Sequence, residues 1–234
     1  MIFEKIGKIY QSLSPNIKSS LVIILILIIL SIIFGIIAKK QDPNKPSKGI
    51  VLLLEILVSW INNLCEDNLG KYGKKFAPMI LTMAMFIFAA NISGLFAFTN
   101  PTANIAITVA LGFISFFMIH GASIKYGGFK NYLKSYIDPS PVMLPINIIS
   151  EFVTPFSLGM RLFGNILSGS IILILVYNAM ALIKIGTFPI GQILSVFVAP
   201  FFHAIFDIFF GAIQTYVFIF LTTIFMAGKL PDVE

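Results

Sequence analysis

Apolar stretches long enough to cross a bilayer recur along this chain, with short polar segments between them. Residues 19–38 carry no charge, and their length suits one membrane-spanning helix. Residues 76–119 also carry no charge. They are long enough for two spans, divided by the turn sequence Thr99-Asn100-Pro101-Thr102. The pattern therefore predicts spans over residues 19–38, 76–98 and 103–121.

Two longer apolar segments follow, at residues 144–184 and 190–228. Pro155 lies inside the first segment, where we expect it to start or kink a helix. The second segment is far longer than a bilayer requires, so its helix must tilt, bend or project, and Pro200 is the expected bend. The two segments are predicted to form a long antiparallel helical hairpin.

Two other segments have the pattern of amphipathic helices lying on a membrane surface. In residues 50–69, apolar side chains at helical spacing alternate with polar ones, and Trp60 suits head-group depth. A soluble loop helix is the alternative there. Residues 1–18 mix three lysines with spaced apolar side chains. The predicted fold class is an all-α polytopic membrane protein with about five transmembrane helices, in one membrane domain over residues 1–234.

Composition supports this class and excludes several others. The chain is 58% hydrophobic and only 11% charged, which excludes an ordinary soluble domain. Its net charge of +6 is not evidence for a nucleic-acid partner, because the lysines cluster between the apolar runs. The single cysteine, Cys65, excludes an intrachain disulfide and gives no zinc-site spacing. We expect no metal, no cofactor and no covalent catalysis in this chain, which also contains no nucleotide-binding loop.

The lysines also predict an orientation in the membrane. With the N-terminus outside, the inner segments hold seven lysines in residues 39–75, three in 124–140 and Lys229. The outer segments then hold only Lys5, Lys8, Lys18 and Lys184. The positive-inside rule therefore favours an outer N-terminus and an inner C-terminus.

Four ionisable side chains fall inside the last two apolar segments: Glu151, Arg161, His203 and Asp207. Arg161 is the only arginine of the chain, and its guanidinium stays protonated at physiological pH. Charges within a membrane mark functional sites by default, although an arginine near a helix end can also snorkel to the head groups. Asp207 lies four residues after His203 and seven before Gln214, so all three share one helix face. A purely structural bond between Asp207 and His203 stays open as an alternative.

Small and polar residues surround the arginine. Gly159, Gly164 and Gly169 thin the helix and let another helix approach closely, and Asn165 lies one turn beyond Arg161 on the same face. In the third predicted span, His120 is expected to be a capping or hydrogen-bonding residue rather than a metal ligand.

The stretch Ser157-Leu158-Gly159-Met160-Arg161-Leu162-Phe163-Gly164-Asn165 resembles the signature of the a subunits of F-type ATP synthases. Three further stretches are similar to the same family: Asn91–Leu95, Leu144–Ile149 and Gly211–Phe218. The resemblance covers roughly residues 50–228, in the family's order, and is nearer to bacterial members than to mitochondrial ones.

The resemblance implies a role for each matching residue. Arg161 matches the essential arginine that faces the carboxylate of each passing c subunit. Asn165 matches the polar residue one turn further on, and Gln214 matches the glutamine that packs beside the arginine.

The remaining matches concern two half-channels for ions. Asp207 stands where the family has an ionisable residue lining the outer half-channel, with His203 as a second candidate. Ser170 stands where many members carry an acid or a histidine, and so departs from the family. Glu151 resembles the acid near the inner half-channel.

The implied function is to pass ions through two offset half-channels to and from a rotating c-ring, which couples the ion gradient to ATP synthesis or hydrolysis. H⁺ is the preferred ion, and Na⁺ stays open. The implied partners are the c-ring, against which the hairpin of the last two helices is expected to lie tilted, the b subunit or peripheral stalk, the remaining ATP synthase subunits and the lipid bilayer. The implied location is the bacterial plasma membrane, with the mitochondrial inner membrane as the alternative. A proton-coupled secondary transporter is the competing function, but the usual internal repeat is missing here.

Overall fold

The computed structural model describes residues 13–40, 49–96, 98–137, 141–183 and 190–231. Within these ranges the chain is helical and contains no strand. Five of its helices are long and apolar enough to cross a membrane. The predicted all-α, five-span fold class is therefore confirmed. The surface helix expected over residues 1–18 lies mostly outside the described residues.

Eight α-helices occur in the described ranges, numbered here in chain order. They are α1 (Pro15–Lys39), α2 (Ile50–Leu69), α3 (Gly73–Ile92), α4 (Ile105–Gly127), α5 (Phe129–Ile137), α6 (Leu144–Leu182), α7 (Ile190–His203) and α8 (Phe210–Ala227). A π-helical segment, Ala204–Phe209, joins α7 to α8 without a break.

Helices α1 and α4 extend beyond their predicted bounds. Helix α1 begins at Pro15 rather than at Ser19, because a proline in the first turn loses no hydrogen bond that a helix would use. Helix α4 continues to Gly127, and residues 129–137 form α5 where the sequence indicated only a polar segment. Lysine is a good helix former, so Lys125 ends the apolar run without ending the helix.

Helices α2 and α3 fold back on each other. Gly70 has a φ of 54°, a left-handed conformation that glycine adopts readily. The chain reverses there, and a Cβ atom added to Gly73 would lie 2.6 Å from the carbonyl oxygen of Cys65. The helix predicted over residues 50–69 is thus present. Its position on the membrane surface stays a prediction.

A polar contact set fixes α3 against α8. Asn91 is fully buried; its Nδ2 donates to the Gly211 carbonyl at 3.2 Å, and its Oδ1 accepts from Thr102 Oγ1 at 3.1 Å. Asn91 and Gly211 each lie in a stretch that resembles the a-subunit family, Asn91–Leu95 and Gly211–Phe218. Satisfying a buried amide in this way fixes how the helices meet.

Helices α4 and α6 approach closely through glycines. Gly112 leaves no room for a Cβ atom beside the carbonyl oxygen of Pro155, and a Cβ atom at Gly159 would lie 2.7 Å from the Val109 Cα. Small residues at such crossings allow backbones to pack in a membrane. The packing role predicted for Gly159 is confirmed, whereas a Cβ atom at Gly164 would meet nothing within 4 Å.

Gly112→Val is expected to destabilise the protein, because the valine side chain would meet backbone rather than a flexible side chain. Overpacking of this kind costs about 1–3 kcal/mol or more. Thermal unfolding in detergent measures the loss. Gly121→Val on the same helix is the matched control, since a Cβ atom there meets nothing within 4 Å. Equal stability of the two variants would contradict the close α4–α6 contact.

Helix α6 forms an antiparallel hairpin with α7 and α8, as predicted. Their contacts pair Ile183 with Gly191, Tyr177 with His203, Gly169 with Phe206, and Glu151 with Lys229. Residue numbers fall along α6 as they rise along its partner. We call the Ile183–Gly191 side the turn end of the hairpin and the Glu151–Lys229 side its open end. The tilt against a c-ring stays a prediction.

Neither Pro155 nor Pro200 ends a helix. Helix α6 runs through Pro155 and α7 runs through Pro200, so Pro155 does not start a helix, and the alternative of a kink there stays a prediction. Pro155 is buried against α4, and neighbouring helices can satisfy the backbone groups that a proline frees in a membrane. The α-helical hydrogen-bond pattern continues past Pro200 and is interrupted four residues later, where the π-helical segment begins.

Candidate ion-translocation site

Arg161 is exposed on α6, whereas its neighbours Leu158 and Leu162 are buried against the rest of the chain. Within the described residues, no carboxylate lies within 4.0 Å of its guanidinium. Around it, α6 presents exposed apolar side chains, which line a shallow groove: Ile148, Ile149, Phe152, Val153, Phe156 and Met160. The charge is therefore displayed on an apolar face without a counter-ion from the described part of this chain.

Gln214 comes level with Arg161 across the hairpin. Interpolating between the Gly169–Phe206 and Glu151–Lys229 contacts puts Arg161 within about one helical turn of Gln214 along the helix axes. The Gln214 Nε2 is buried and has no hydrogen-bond partner among the described residues. A buried amide without a partner is costly, so we expect this nitrogen to donate a hydrogen bond to a group that the described residues do not supply.

Asn165 and Ser170 lie further along α6 toward the turn end. Asn165 is half-buried, and Ser170 is exposed. The Ser170 hydroxyl donates to the Leu167 carbonyl of its own helix at 2.8 Å. Because Gly169 packs against Phe206, Ser170 lies near the level of Asp207 across the hairpin. The structure gives no bond between the side chains of Ser170 and Asp207.

Three side chains near the turn end form what we call the Asp207 cluster: Tyr177, His203 and Asp207. Asp207 is 7% exposed, and its Oδ2 lies 2.7 Å from His203 Nδ1. The other ring nitrogen, Nε2, lies 3.1 Å from the Tyr177 hydroxyl. The predicted His203–Asp207 pair is present, and a tyrosine from the opposite helix extends it.

The backbone at Asp207 is unusual. Residues 204–209 form a π-helix, a wider turn that is rare and occurs often at functional sites. The extra residue that such a turn accommodates also changes the register between His203 and Gln214. The single face predicted for all three residues assumed α-helical geometry and is therefore not maintained through this segment.

Near the open end, Glu151 lies in a second polar cluster. Its Oε2 is 3.0 Å from His120 Nε2 on α4, and its Oε1 contacts the Lys229 ammonium just beyond α8. His120 Nδ1 is 3.1 Å from the Tyr132 hydroxyl, which is 2.8 Å from the Tyr136 hydroxyl on α5. We call these five residues the Glu151 cluster. The hydrogen-bonding role predicted for His120 is confirmed.

A cavity of about 110 Å³ opens beside Glu151. Its lining combines apolar and polar side chains from three helices and the segment after α8: Phe116, Ile119, His120, Ser150, Glu151, Thr154, Phe225 and Lys229. A cavity of this size with polar side chains in its lining has room for several water molecules. Ions or protons could therefore reach Glu151 through water rather than through packed side chains.

Sequence reasoning missed four participants in these clusters. Tyr177 carried no signal, because a single tyrosine in an apolar run is ordinary in a membrane helix. Lys229 contributed to the orientation argument only as a charge, and Tyr132 and Tyr136 lie in the segment that the sequence indicated as polar. Tyr136 joins its cluster through Tyr132, and the other three join through contacts across 12 to 78 positions of the chain.

Five apolar spans, an exposed arginine within one of them, and buried ionisable clusters on either side define an ion-translocating polytopic membrane protein. The chain matches the family model described as ATP synthase A chain over residues 20–227. It therefore belongs to this family and serves as the ion-translocating subunit of the membrane sector of an ATP synthase. The family resemblance inferred from the sequence is confirmed, and the competing transporter function is not favoured.

Individual relatives give the same result. The chain is 32% identical to the ATP synthase subunit a of Oceanobacillus iheyensis over 224 residues, covering 92% of this chain and 90% of that protein. It is 34% identical to the subunit a of Staphylococcus carnosus, covering 93% of each chain. The subunit a of Mycoplasma pneumoniae is 31% identical over 86% of this chain and 74% of its own length. The bacterial character of the resemblance agrees with these relatives, and the role carries no covalent catalysis of its own.

Proposed function

We propose that ions cross this protein through two half-channels, one at the Asp207 cluster and one at the Glu151 cluster, which meet at a c-ring facing Arg161. The observation that carries the proposal is the order of charges along the hairpin. Glu151 lies about 15 Å from Arg161 along α6, and Asp207 lies about 10 Å from Gln214 in the opposite direction. Neither path then has to cross the whole bilayer.

Arg161 needs a partner from outside the described chain. An uncompensated charge within a membrane is expensive, and this guanidinium is exposed on an apolar face with no carboxylate of the described residues within 4.0 Å. A ring carboxylate that comes past would supply the missing counter-ion. The fixed positive charge keeps that carboxylate ionised, so it releases its ion before moving on.

The partners and the location follow from the proposed role as the ion-translocating subunit of an ATP synthase. A c-ring against the open face of α6, a b subunit or peripheral stalk, and the other ATP synthase subunits complete the assembly. The lysine distribution supports an outer N-terminus and an inner C-terminus, and the likeness to bacterial relatives supports a bacterial plasma membrane. In this orientation the Asp207 cluster serves the outer half-channel and the Glu151 cluster serves the inner one. Asn165 and Ser170 then lie along α6 toward the outer side.

Cysteine labelling is expected to establish this orientation. On a Cys65→Ala background, Lys71→Cys and Lys130→Cys are expected to react with an impermeant thiol reagent from the inside, and Ala103→Cys from the outside. All three positions are exposed. Labelling of all three from the opposite sides would reverse the assignment of the two half-channels.

ATP-driven pumping by the purified complex tests the function itself. The chain should co-purify with a c-ring and catalytic subunits, and vesicles containing this assembly should pump ions when given ATP. Varying H⁺ and Na⁺ identifies the ion. Solute-coupled transport by the chain alone, without a ring, would contradict the proposal and favour the transporter.

A further inference from the structure

The bonds around His120 form one continuous chain from the polar cavity to α5. They run from Glu151 through His120 and Tyr132 to Tyr136, with separations of 3.0, 3.1 and 2.8 Å. His120 is 7% exposed, so its ring contacts protein on nearly all sides. Such a row of hydroxyl and imidazole groups can pass a proton without moving any heavy atom far.

Lys229 is held in place through both its backbone and its ammonium group. Its carbonyl accepts a hydrogen bond of 2.8 Å from Ser123 Oγ on α4. Its ammonium contacts Glu151 and also lies 4.8 Å from the centre of the Tyr136 ring. A cation fixed on the far oxygen of Glu151 stabilises the carboxylate form and leaves the near oxygen directed at His120.

We propose that His120 carries protons between Glu151 and the hydroxyls of Tyr132 and Tyr136, with Lys229 as the residue that positions Glu151 for the transfer. This inference rests on the proposed function, because it specifies how protons leave the Glu151 half-channel. It commits the inner path to H⁺, since imidazole and phenol groups pass protons but do not conduct Na⁺.

Each transfer moves one proton in and one proton out. A proton from cavity water reaches the Glu151 carboxylate, which gives it to Nε2 of a His120 ring protonated at Nδ1. The resulting imidazolium bridges Glu151 and Tyr132. It then releases the Nδ1 proton to the Tyr132 oxygen, while the Tyr132 hydroxyl proton passes to Tyr136 and on to water. Rotation of the two tyrosine hydroxyls and a half-turn flip of the His120 ring, which exchanges the positions of Nδ1 and Nε2, restore the starting arrangement, and the reverse sequence brings protons in.

The titratable and charged groups around His120 come from α5, α6 and the segment after α8. Glu151 and Tyr132 contact its two ring nitrogens, and the centre of the Phe116 ring lies 4.0 Å from the centre of its ring. Behind these, Lys229 contacts Glu151, and Tyr136 bonds Tyr132. The pKa of Tyr136 is raised well above its usual range by burial, by its bond to Tyr132 and by the nearby Glu151 charge. Its hydroxyl therefore stays protonated, as a neutral relay requires.

Tyr132→Phe is the sharpest test, because it removes one hydroxyl and keeps the ring. In vesicles containing the assembled complex, we expect ATP-driven acidification to fall about tenfold for Tyr132→Phe and for His120→Gln. This is less than the hundredfold or more typical of a lost proton-transfer group, because cavity water can partly replace it. The matched control is Tyr126→Phe on α4, a tyrosine outside the cluster, which should pump normally. Rates are normalised to the amount of complex that co-purifies with the ring.

Lys229 is tested by its effect on the pH profile. Lys229→Met should displace the dependence of pumping on inner pH toward alkaline values, because the cluster without this positive charge holds its proton more easily. Lys229→Arg should restore the original profile, and Lys125→Met is the matched control. A structural role alone would lower the rate without moving the profile.

The outcomes separate this inference from the function on which it rests. If Tyr132→Phe and His120→Gln pump like the wild type while Arg161→Ala fails, the relay is wrong and the half-channel proposal stands. If Arg161→Ala also pumps normally, the proposed function itself fails. Pumping of Na⁺ without any proton movement would overturn the relay alone.

Discussion

Arg161→Ala is expected to abolish both ATP-driven pumping and ATP synthesis while the complex still assembles. The guanidinium is exposed and has no ion pair within the described residues, so its removal should leave the packing of α6 largely intact. Without the fixed charge, a ring carboxylate would keep its ion as it passes. Rotation would then no longer be coupled to ion transfer.

The measurement is pumping in inverted vesicles, with the amount of co-purifying ring as the assembly check. Passive ion leakage is also expected to rise, because the positive charge separates the two half-channels. Arg161→Lys should fail substantially as well, since a lysine ammonium in an apolar setting can lose its proton. Normal coupled pumping by Arg161→Ala would contradict the stator role.

Asp207→Leu is expected to have the second-largest effect, about a hundredfold or greater loss of both pumping and synthesis. Asp207 is nearly buried and forms a short bond to His203, so the substitution removes the ionisable group and the partner of a histidine together. Both directions should fall in parallel, because one blocked half-channel stops rotation either way.

Graded substitutions distinguish ion transfer from packing at this position. Asp207→Glu should retain partial activity because the group still titrates, whereas Asp207→Asn keeps the size but loses the charge and should be slow. Ser195→Ala on α7 is the control, since that hydroxyl lies outside the Asp207 cluster and bonds only the Gln192 carbonyl of its own helix within the described structure. Wild-type pumping by Asp207→Leu would mean that Asp207 is structural and that the outer path runs elsewhere.

The helical architecture could be predicted from the sequence because it depends on the length of apolar runs. Residues 76–119 are too long for one span and carry one clear turn, so two helices follow. Helix ends were less predictable. Pro15 and Lys125 are both compatible with helix, and hydropathy records only where an apolar run ends.

The site could be predicted only in part, for a different reason. Arg161, Asp207 and Glu151 stand out because a charge in an apolar run is rare. Their partners do not, since Lys229 meets Glu151 across 78 positions and Tyr177 meets His203 across 26. Such contacts depend on the register of the hairpin. The π-helix around Asp207 likewise leaves no periodic signal in a uniformly apolar segment.

The most direct test of the central claim is access to the two acids from the two sides of the membrane. On a Cys65→Ala background, Asp207→Cys and Glu151→Cys would each be treated with an impermeant thiol reagent added outside or inside, and residual ion flux would be measured. We predict that the reagent blocks the remaining flux through Asp207→Cys from the outside only and through Glu151→Cys from the inside only. Reaction of both positions from the same side would contradict two half-channels separated by Arg161.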